Sequence, residues 1–217
     1  MARSKSSSRW LQRHVSDAYV KRAHKDGYRS RAAYKLEEID RGDRLLHAGM
    51  TVVDLGAAPG GWSQYVARRI GASGRVIAVD LLPVAPISGV QVIQGDFTEI
   101  QVLDSVKSAL GGVHVDLVIS DMAPNISGVE AADQAKAVSL AEYALDFAVQ
   151  TLKRGGNVLV KTFQGEGYAE LHRGMKRRFD KLLTRKPKAS RAESREIYLL
   201  GKGFKPPAEP NLGHETE

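Results

Sequence analysis

Four aspartates stand where a short apolar run ends, a position from which a carboxylate can contact a ligand. Asp54, Asp80, Asp96 and Asp121 each close or follow a run of Val, Ile, Leu or Ala. Such runs predict buried parallel strands. Because parallel strands present their carboxyl ends at one edge of a sheet, these side chains should meet where open α/β folds bind ligands. A single aspartate of this kind is more commonly a turn former or a helix cap, but four together predict one site.

A glycine-rich turn follows the first of these strands. Gly56, Gly60 and Gly61 let the backbone turn tightly and approach a ligand without a Cβ in the way. A predicted amphipathic helix over Gly61–Ile70 directs its N-terminal amides at the same crevice. The intervening Ala57-Ala58-Pro59 interrupts the dinucleotide fingerprint, because proline fixes φ and removes a donor. The turn therefore predicts a nucleotide-like cofactor, with an ordinary strand-to-helix turn as the alternative.

Lys161 lies inside an apolar run at 157–163, near the end where Asp121 also emerges. Lysine is seldom buried without a partner, so this side chain is either paired or functional. A lysine that extends to solvent from a strand end is the structural alternative. Glu196, at the start of the last predicted strand, presents the same choice. Lys35 belongs to a basic N-terminal helix in which its residue type is unremarkable.

The composition is that of one soluble globular domain. The chain has 217 residues, of which 42% are hydrophobic and 26% charged. It contains no cysteine, which excludes disulfides, cysteine-bound zinc, iron–sulfur clusters and thiolate nucleophiles. No apolar run approaches the roughly 20 residues that span a bilayer, and no secretion signal precedes the domain. We therefore expect a cytoplasmic monomer with no metal site and no membrane partner.

Positive charge is concentrated in two segments. Residues 1–35 contain ten Lys or Arg against two Asp, and residues 172–191 contain nine against one, so each segment carries a net charge of +8. The remainder of the chain carries −9. Solvated helix faces are the plain explanation, but the first segment also contains aromatic side chains suited to base stacking, namely Trp10, Tyr19, Tyr28 and Tyr34. We expect an RNA or DNA partner, and one surface formed by both segments around the mouth of the cleft.

The chain divides into a basic flexible arm over residues 1–15, a single domain over 16–201 and a flexible tail over 202–217. Further helices are predicted at 133–154, where Gly155-Gly156 ends the pattern, and near 166–180. Beyond the first strand, the remaining strands are predicted at 75–80, 90–96, 113–121, 157–163, 181–188 and 196–201.

Five motifs in this order resemble those of the FtsJ/RrmJ (RlmE) ribose 2′-O-methyltransferases, over roughly residues 10 to 201. The motifs are Ser30–Lys35, Asp54–Trp62, Ser120–Asn125, Val160–Phe163 and Ser194–Tyr198. The resemblance implies an α/β, Rossmann-like S-adenosylmethionine-dependent methyltransferase fold. Its sheet would have seven strands, mostly parallel with one antiparallel strand, and helices on both faces.

The resemblance also implies the site residues. The catalytic tetrad of the family falls on Lys35, Asp121, Lys161 and Glu196, and its contacts with S-adenosylmethionine fall on Gly60, Trp62, Asp80, Asp96 and Asp121. The substrate it implies is a uridine ribose in the A loop of 23S ribosomal RNA, on the large ribosomal subunit. Action on another RNA, such as a transfer RNA anticodon loop, is the alternative within the family.

These residue types suit the implied reaction. Methyl transfer from a sulfonium to a ribose hydroxyl needs in-line placement and removal of one proton. A lysine accepts a proton only in its neutral form, so we expect desolvation and the charge of Lys35 to keep part of the Lys161 population neutral. Asp121 and Glu196 would orient the two ammonium groups.

Other functions fit the residues less well. A base N-methyltransferase would carry a Pro-Pro-aromatic motif where Met122-Ala-Pro-Asn125 stands, and a pyrimidine C5-methyltransferase needs a cysteine. A dehydrogenase would carry an uninterrupted glycine fingerprint. A non-catalytic RNA-binding protein of ribosome assembly fits the charge distribution equally well, but it gives no reason for Lys161 or the aligned acids.

Overall fold

The computed structural model describes residues 17–124, 127–191 and 194–207. The predicted arm at 1–15, Trp10, Asn125 and most of the predicted tail lie outside these residues. Among the described residues, no helix has the length and apolar character needed to cross a membrane.

The described residues form seven strands and six helices. The strands are β1 (Thr51–Leu55), β2 (Arg75–Asp80), β3 (Val90–Gln94), β4 (Val115–Ser120), β5 (Leu152–Phe163), β6 (Phe179–Arg185) and β7 (Glu196–Phe204). The helices are α1 (Ala18–Asp26), α2 (Ala33–Asp43), α3 (Gly61–Ile70), α4 (Ile100–Leu110), α5 (Glu130–Thr151) and α6 (Tyr168–Arg178). β7 thus continues past residue 201, because Phe204 is buried against Phe179.

All seven strands belong to one sheet in the order β3-β2-β1-β4-β5-β7-β6. The pairs among β1 to β5 are parallel, whereas β7 runs antiparallel to both β5 and β6. The predicted fold class, a seven-stranded mostly parallel sheet with one antiparallel strand, is confirmed.

The boundary between α5 and β5 differs from the prediction. The helix ends at Thr151 and the strand begins at Leu152, so Gly155 and Gly156 lie within the strand and do not end the helix. The strand register shifts here, between the pairs Val115–Leu152 and Leu117–Asn157. Gly155 has a φ of +79° at this irregularity, a conformation that suits glycine and accommodates the extra residues of a bulge.

Both faces of the sheet are covered, and side chains alternate between them along each strand. Val53, Val118 and Val160 face one layer of the core, which includes α4, α5 and α6. Val52, Leu117 and Leu159 face the other layer, which includes α2 and α3. Strand positions two residues apart therefore share a face, and this alternation determines where the polar residues at the strand ends lie.

Candidate active site

Strand alternation brings the predicted catalytic residues to the α2 side of the sheet. Lys161 lies two residues beyond Leu159, and Asp121 two residues beyond Ile119, both of which face α2 and α3. On β7, Glu196 precedes Tyr198 by two residues, and Tyr198 pairs directly with Lys161 across the strands. The site is therefore fixed by the register of three strands at one edge of the sheet, where β4 and β5 end and β7 begins.

The first group of contacts centres on Asp121. Lys161 Nζ lies 2.9 Å from Asp121 Oδ1 and also donates to the backbone carbonyl of the same residue. The hydroxyl of Tyr198 donates to Asp121 Oδ1 at 2.7 Å. The lysine side chain is only 7% exposed, so it is buried and paired and does not extend to solvent.

The second group is an ion pair between Lys35 and Glu196. Lys35 Nζ lies 2.6 Å from Glu196 Oε1, and each side chain is 12% exposed. The lysine comes from α2 and the glutamate from the start of β7, so the pair joins a helix to the sheet. Lys35 Nζ is also 5.8 Å from the ring centre of Tyr198, whose hydroxyl bonds to Asp121. Tyr198 therefore contacts both groups of the predicted tetrad.

The electrostatics of Asp121 reflect these neighbours. Burial by itself would raise the pKa of Asp121, but the charges of Lys161 and Lys35, with the hydrogen bonds from Lys161 and Tyr198, bring it below the usual range. Asp121 is therefore an ionised carboxylate at neutral pH. Burial raises the pKa of Tyr198 well above its usual value, and the negative charges of Asp121 and Glu196 add to the effect. Tyr198 remains a neutral hydrogen-bond donor.

A cleft of about 460 Å³ opens beside this cluster at the carboxyl ends of the strands. Its lining includes Gly56, Asp80, Asp96 and Asp121 from the set predicted to bind a cofactor. Asp121 thus contacts Lys161 and also forms part of the cleft wall. A volume of this size is within the range of small-molecule sites.

The structure places three other predicted cofactor residues outside the lining of this cleft. Trp62 is buried, and its indole nitrogen donates to the carbonyl of Ala32 at 2.7 Å, at the start of α2. A Cβ at Gly61 would collide with Ser30, and a Cβ at Gly60 would lie 2.7 Å from Ile87. These residues pack the glycine turn against the segment before α2 and the loop after β2.

Asp80 and Asp96 are held by local hydrogen bonds. Asp80 accepts from the backbone amides of Ala58 and Leu82, at 2.8 Å in each case. Asp96 Oδ1 accepts from the hydroxyl and the amide of Thr98, and these bonds lower the pKa of Asp96. Both side chains are therefore oriented before any ligand binds.

Asp54, on β1, is fully buried and does not line the cleft. Its Oδ2 accepts from the Ser63 hydroxyl at 2.6 Å, whereas its Oδ1 has no hydrogen-bond partner among the described residues. Burial raises the pKa of Asp54 to about 7, against the hydrogen bond from Ser63 and with the charges of Asp121 and Asp80 adding to the rise. The sequence grouped Asp54 with the other strand-end acids, but its surroundings are distinct.

Among the described residues, only the end of the second basic segment, near residues 188–191, contacts the first basic segment beside Lys35. Arg31 donates to the carbonyl of Ala189, and Glu38 accepts from the amides of Lys188 and Ala189. A second cleft of about 230 Å³ lies at this junction, lined by Arg31, Ala32, Lys35, Arg191, Ser194 and Glu196. The loop after β6 and the segment before α2 therefore form one surface next to the tetrad.

The prediction that both basic segments form one surface around the cleft is wrong for Arg177 and Arg178, at the end of α6. Phe179, which follows Arg177 and Arg178, pairs with Phe204, whereas Arg185 pairs with Tyr198 at the site. Six strand residues, or about 20 Å, thus separate these arginines from the tetrad edge. Because β6 runs parallel to β5, its amino end lies at the opposite edge of the sheet.

Two features of the site were not predicted. Tyr198 belongs to the motif Ser194–Tyr198, but the sequence predicts no function for it. A tyrosine in an apolar strand gives no sign that its hydroxyl will bond to an aspartate on another strand. Leu81 and Leu82 line the cleft and are 63% and 61% exposed. Two consecutive leucines directly after a strand-end acid are the signal that could have identified them.

A family model described as FtsJ-like methyltransferase matches residues 28–204. The chain belongs to the FtsJ-like methyltransferase family. The resemblance seen in the five motifs is thus confirmed, and the matched range contains every residue of the tetrad and of the cleft.

Relatives of this FtsJ-like chain are similar over almost their full length. The ribosomal RNA large subunit methyltransferase E of Marinobacter nauticus is 58% identical over 205 residues, 94% of this chain and 99% of that protein. The protein of the same name from Cellvibrio japonicus is 56% identical over 204 residues, 94% of this chain and 97% of its own. A solved structure described as a ribosomal RNA methyltransferase from Plasmodium falciparum has a TM-score of 0.74 and 32% identity, covering 82% of this chain and 98% of that one.

Proposed function

We propose that this protein transfers a methyl group from S-adenosylmethionine to the 2′-hydroxyl of a uridine ribose in the ribosomal RNA of the large subunit. The observation that carries the proposal is the position of Asp121. This carboxylate lines the 460 Å³ cleft and also bonds to the buried amine of Lys161. A cofactor in the cleft and a hydroxyl at the amine would therefore be neighbours.

The cleft residues fit S-adenosylmethionine in their chemistry. Asp80 and Asp96 offer carboxylate oxygens suited to ribose and amine groups, and the exposed Leu81 and Leu82 offer an apolar surface suited to the adenine ring. Gly56 leaves room at the wall, since a Cβ there would collide with Met122. When bound, S-adenosylmethionine supplies a methyl group on a positively charged sulfur.

The proposed catalytic base is Lys161. Its Nζ accepts the proton that the 2′-hydroxyl loses as the new oxygen–carbon bond forms. Asp121 holds the amine through Oδ1 and the backbone carbonyl, which fixes the position of a side chain that is only 7% exposed. Tyr198 donates to the same oxygen, Asp121 Oδ1, and helps to orient the carboxylate. Arginine could not replace Lys161, because a guanidinium keeps its proton at any accessible pH.

The Lys35–Glu196 pair lines not the large cleft but the second one. That cleft contains Arg31 and Arg191, whose guanidinium groups suit phosphates of an RNA backbone. We infer that the RNA approaches from this side and that the ion pair positions the target ribose.

The RNA substrate is inferred from the relatives. Both curated relatives are named for the large-subunit ribosomal RNA, and a substrate in the ribosome implies action in the cytoplasm. The finer assignment to a uridine ribose in the A loop of 23S RNA rests on the resemblance to the family, and the mapping experiment below tests it against a transfer RNA substrate. The two basic segments, each with a net charge of +8, support binding to RNA in general.

The deciding experiment is methyl transfer with mapping of the product. Large ribosomal subunits from cells lacking this protein are incubated with purified protein and labelled S-adenosylmethionine, and the RNA is analysed for alkali-resistant ribose methylation. We expect one labelled uridine, and no label with the Lys161→Arg variant. Label on a base, on another RNA only, or on no RNA despite tight RNA binding would contradict the proposal, and the last result would favour a non-catalytic assembly protein.

A calorimetric measurement tests the cofactor part alone. If Asp80 holds the ribose hydroxyls, Asp80→Ala should weaken binding of S-adenosylmethionine by about 1 to 3 kcal/mol, since hydrogen bonds to a charged group are lost. Unchanged affinity would remove Asp80 from the cofactor site.

A further inference from the structure

Arg29 belongs to the segment between α1 and α2, yet its side chain reaches the loops of the large cleft. Nη1 donates to the carbonyl of Ala85 at 2.6 Å and to that of Pro59 at 3.3 Å, and Nη2 donates to the carbonyl of Pro86 at 2.8 Å. One guanidinium therefore binds the glycine turn and the loop after β2 together.

Asp80 joins the same two loops from inside the cleft. It accepts from the amide of Ala58 in the glycine turn and from the amide of Leu82 in the following loop. Apolar packing of Val84 against Ala57 lies between the two polar connections. The loop at 81–89 is thus attached to the glycine turn by a carboxylate on the cleft side and by Arg29 on the outer side.

Gly60 also contributes to the attachment of the loop at 81–89 to the glycine turn. It does not line the cleft, and a Cβ at this position would lie 2.7 Å from Ile87 Cδ1 and 3.1 Å from Arg29 Nη1. Its φ of +109° also disfavours other residues. The absence of a side chain at residue 60 leaves the space through which Arg29 and the loop reach the glycine turn.

The backbone of Arg29 is itself fixed. Its amide donates to Gln64 Oε1 on α3 at 2.8 Å, so the side chain extends from an anchored position. The guanidinium lies in the predicted RNA-binding segment, close to Arg31, but its donors point to backbone carbonyls. An arginine used in this way contributes little to binding a phosphate.

We propose that Arg29 is a positioning residue for the cofactor: it holds the loop at 81–89 against the glycine turn and so pre-forms the wall that carries Leu81 and Leu82. The inference rests on the proposed function, because it takes the large cleft as the S-adenosylmethionine site. A pre-formed wall lowers the cost of ordering the loop on binding, which raises affinity. Arg29 acts on cofactor affinity and not on the proton transfer at Lys161.

The test compares Arg29→Ala and Arg29→Lys with Arg68→Ala. Arg68, on α3, is a matched control, because it donates to the carbonyl of Asp26 at 3.2 Å and lies over the ring of Tyr28, next to Arg29 in sequence, and has no hydrogen bond to the cleft loops among the described residues. Calorimetry with S-adenosylhomocysteine should show a dissociation constant raised about tenfold or more for Arg29→Ala, as expected for losing hydrogen bonds to a charged group. Lysine cannot span two carbonyls in the same way, so Arg29→Lys should recover only part of the loss.

Two further readouts separate positioning from other roles. Hydrogen exchange of residues 81–89 without ligand should be faster in Arg29→Ala than in the wild type and unchanged in Arg68→Ala. In steady-state assays, KM for S-adenosylmethionine should rise, whereas kcat at saturating cofactor and KM for RNA should stay near wild type. Arg29→Lys preserves the charge and supplies the same comparisons if the alanine variant does not fold.

The outcomes distinguish failure of the proposed function from failure of the role of Arg29 alone. If the wild type binds no S-adenosylhomocysteine, the proposed function fails and the role of Arg29 fails with it. If the wild type binds but neither affinity nor loop exchange changes in the Arg29 variants, only the positioning role is wrong. A loss of RNA affinity with unchanged cofactor affinity would make Arg29 an RNA contact and overturn the inference.

Discussion

Asp54 and Asp121 lie on neighbouring strands, β1 and β4, and both face α2 and α3, yet their pKa values move in opposite directions. Burial raises the pKa of Asp54 to about 7. Burial acts on Asp121 in the same sense, but two lysine charges and two hydrogen bonds bring its pKa below the usual range. Asp54 has one hydroxyl partner, from Ser63. The position at a strand end therefore places a carboxylate, and the partners from other elements decide its charge.

The two acids therefore have different uses. An ionised Asp121 can hold the amine of Lys161 while lining the cleft. Asp54, which is neutral through much of the acid range, behaves as a buried hydrogen-bonding group that connects β1 to Ser63 on α3. Substitutions of Asp54, or of the residues that bond to Asp121, should therefore have different consequences.

The largest effect is expected from Lys161, the partner that most distinguishes Asp121. Lys161→Arg keeps a cation near Asp121 but removes the group that can accept a proton. We expect methyl transfer to fall on the order of 10³-fold or more, within the range attributed to general-base catalysis, while calorimetric affinity for S-adenosylmethionine stays near wild type. Lys161→Ala should be equally inactive. Substantial turnover by the arginine variant would exclude Lys161 as the base and leave it an electrostatic role.

Asp54 should control part of the pH dependence of stability. Its folded pKa is raised, so the folded protein retains a proton that the unfolded chain has released between about pH 4 and pH 7. The contribution of Asp54 to the unfolding free energy is therefore complete below the unfolded pKa, falls as pH rises through this window and is level above it. A rise from the usual 3.8 to about 7 corresponds to about 4 kcal/mol.

Asp54→Asn, which remains neutral at every pH, tests this contribution. Urea unfolding at pH 4.5 and pH 8 should show that the stability of the variant relative to wild type improves by a few kcal/mol at the higher pH. Asp104→Asn, at an exposed position on α4, is the control and should leave the wild-type slope in place. Equal slopes for wild type and Asp54→Asn would show that Asp54 is ionised in the folded protein.

Lys35 tests the longer-range influence on Asp121. Lys35→Met removes a charge that lowers the pKa of Asp121 and leaves Glu196 without its ion-pair partner, and Glu196→Gln removes the other half of the pair. We expect each variant to lose about tenfold to a hundredfold in activity, because the ribose is misplaced. The double variant should lose little more than either single one. Additive losses in kcat/KM would indicate that the two residues act separately.

Much of this arrangement follows from the sequence, and the exceptions have physical causes. The apolar runs ending at Asp54, Asp80 and Asp121 are sufficient to predict strands and a common edge, because a parallel sheet buries both faces. The role of Lys35 came only from the family motif, since its ion pair depends on how α2 docks on the sheet. The position of α2 is stabilised by the hydrogen bond from Trp62 to the carbonyl of Ala32. A contact between residues 30 positions apart cannot be predicted from the local sequence pattern.

The two predictions that were wrong depend on contacts between segments that are distant in sequence. Arg177 and Arg178 were grouped with the site because they are close to Glu196 in sequence, but the direction of β6 places them at the other edge. The end of α5 was misplaced because a glycine pair is equally typical of a helix end and of a strand bulge. In each case the deciding interaction is a strand pairing, which periodicity along the chain does not determine.

The smallest effect is expected from Tyr198→Phe, which removes one hydrogen bond from Asp121 and leaves both lysines in place. The hydroxyl lies 2.7 Å from Oδ1, and the ring is fully buried between Lys35 and Trp62. Loss of a hydrogen bond to a charged group should lower the unfolding free energy by about 1.5 to 3 kcal/mol and raise the pKa of Asp121. Because Lys161 still holds the carboxylate, we expect kcat to fall only severalfold and KM for both substrates to change little. Urea unfolding and steady-state kinetics together check the assignment: lowered stability with a severalfold lower kcat is expected, and lowered stability with an unchanged kcat would limit Tyr198 to packing.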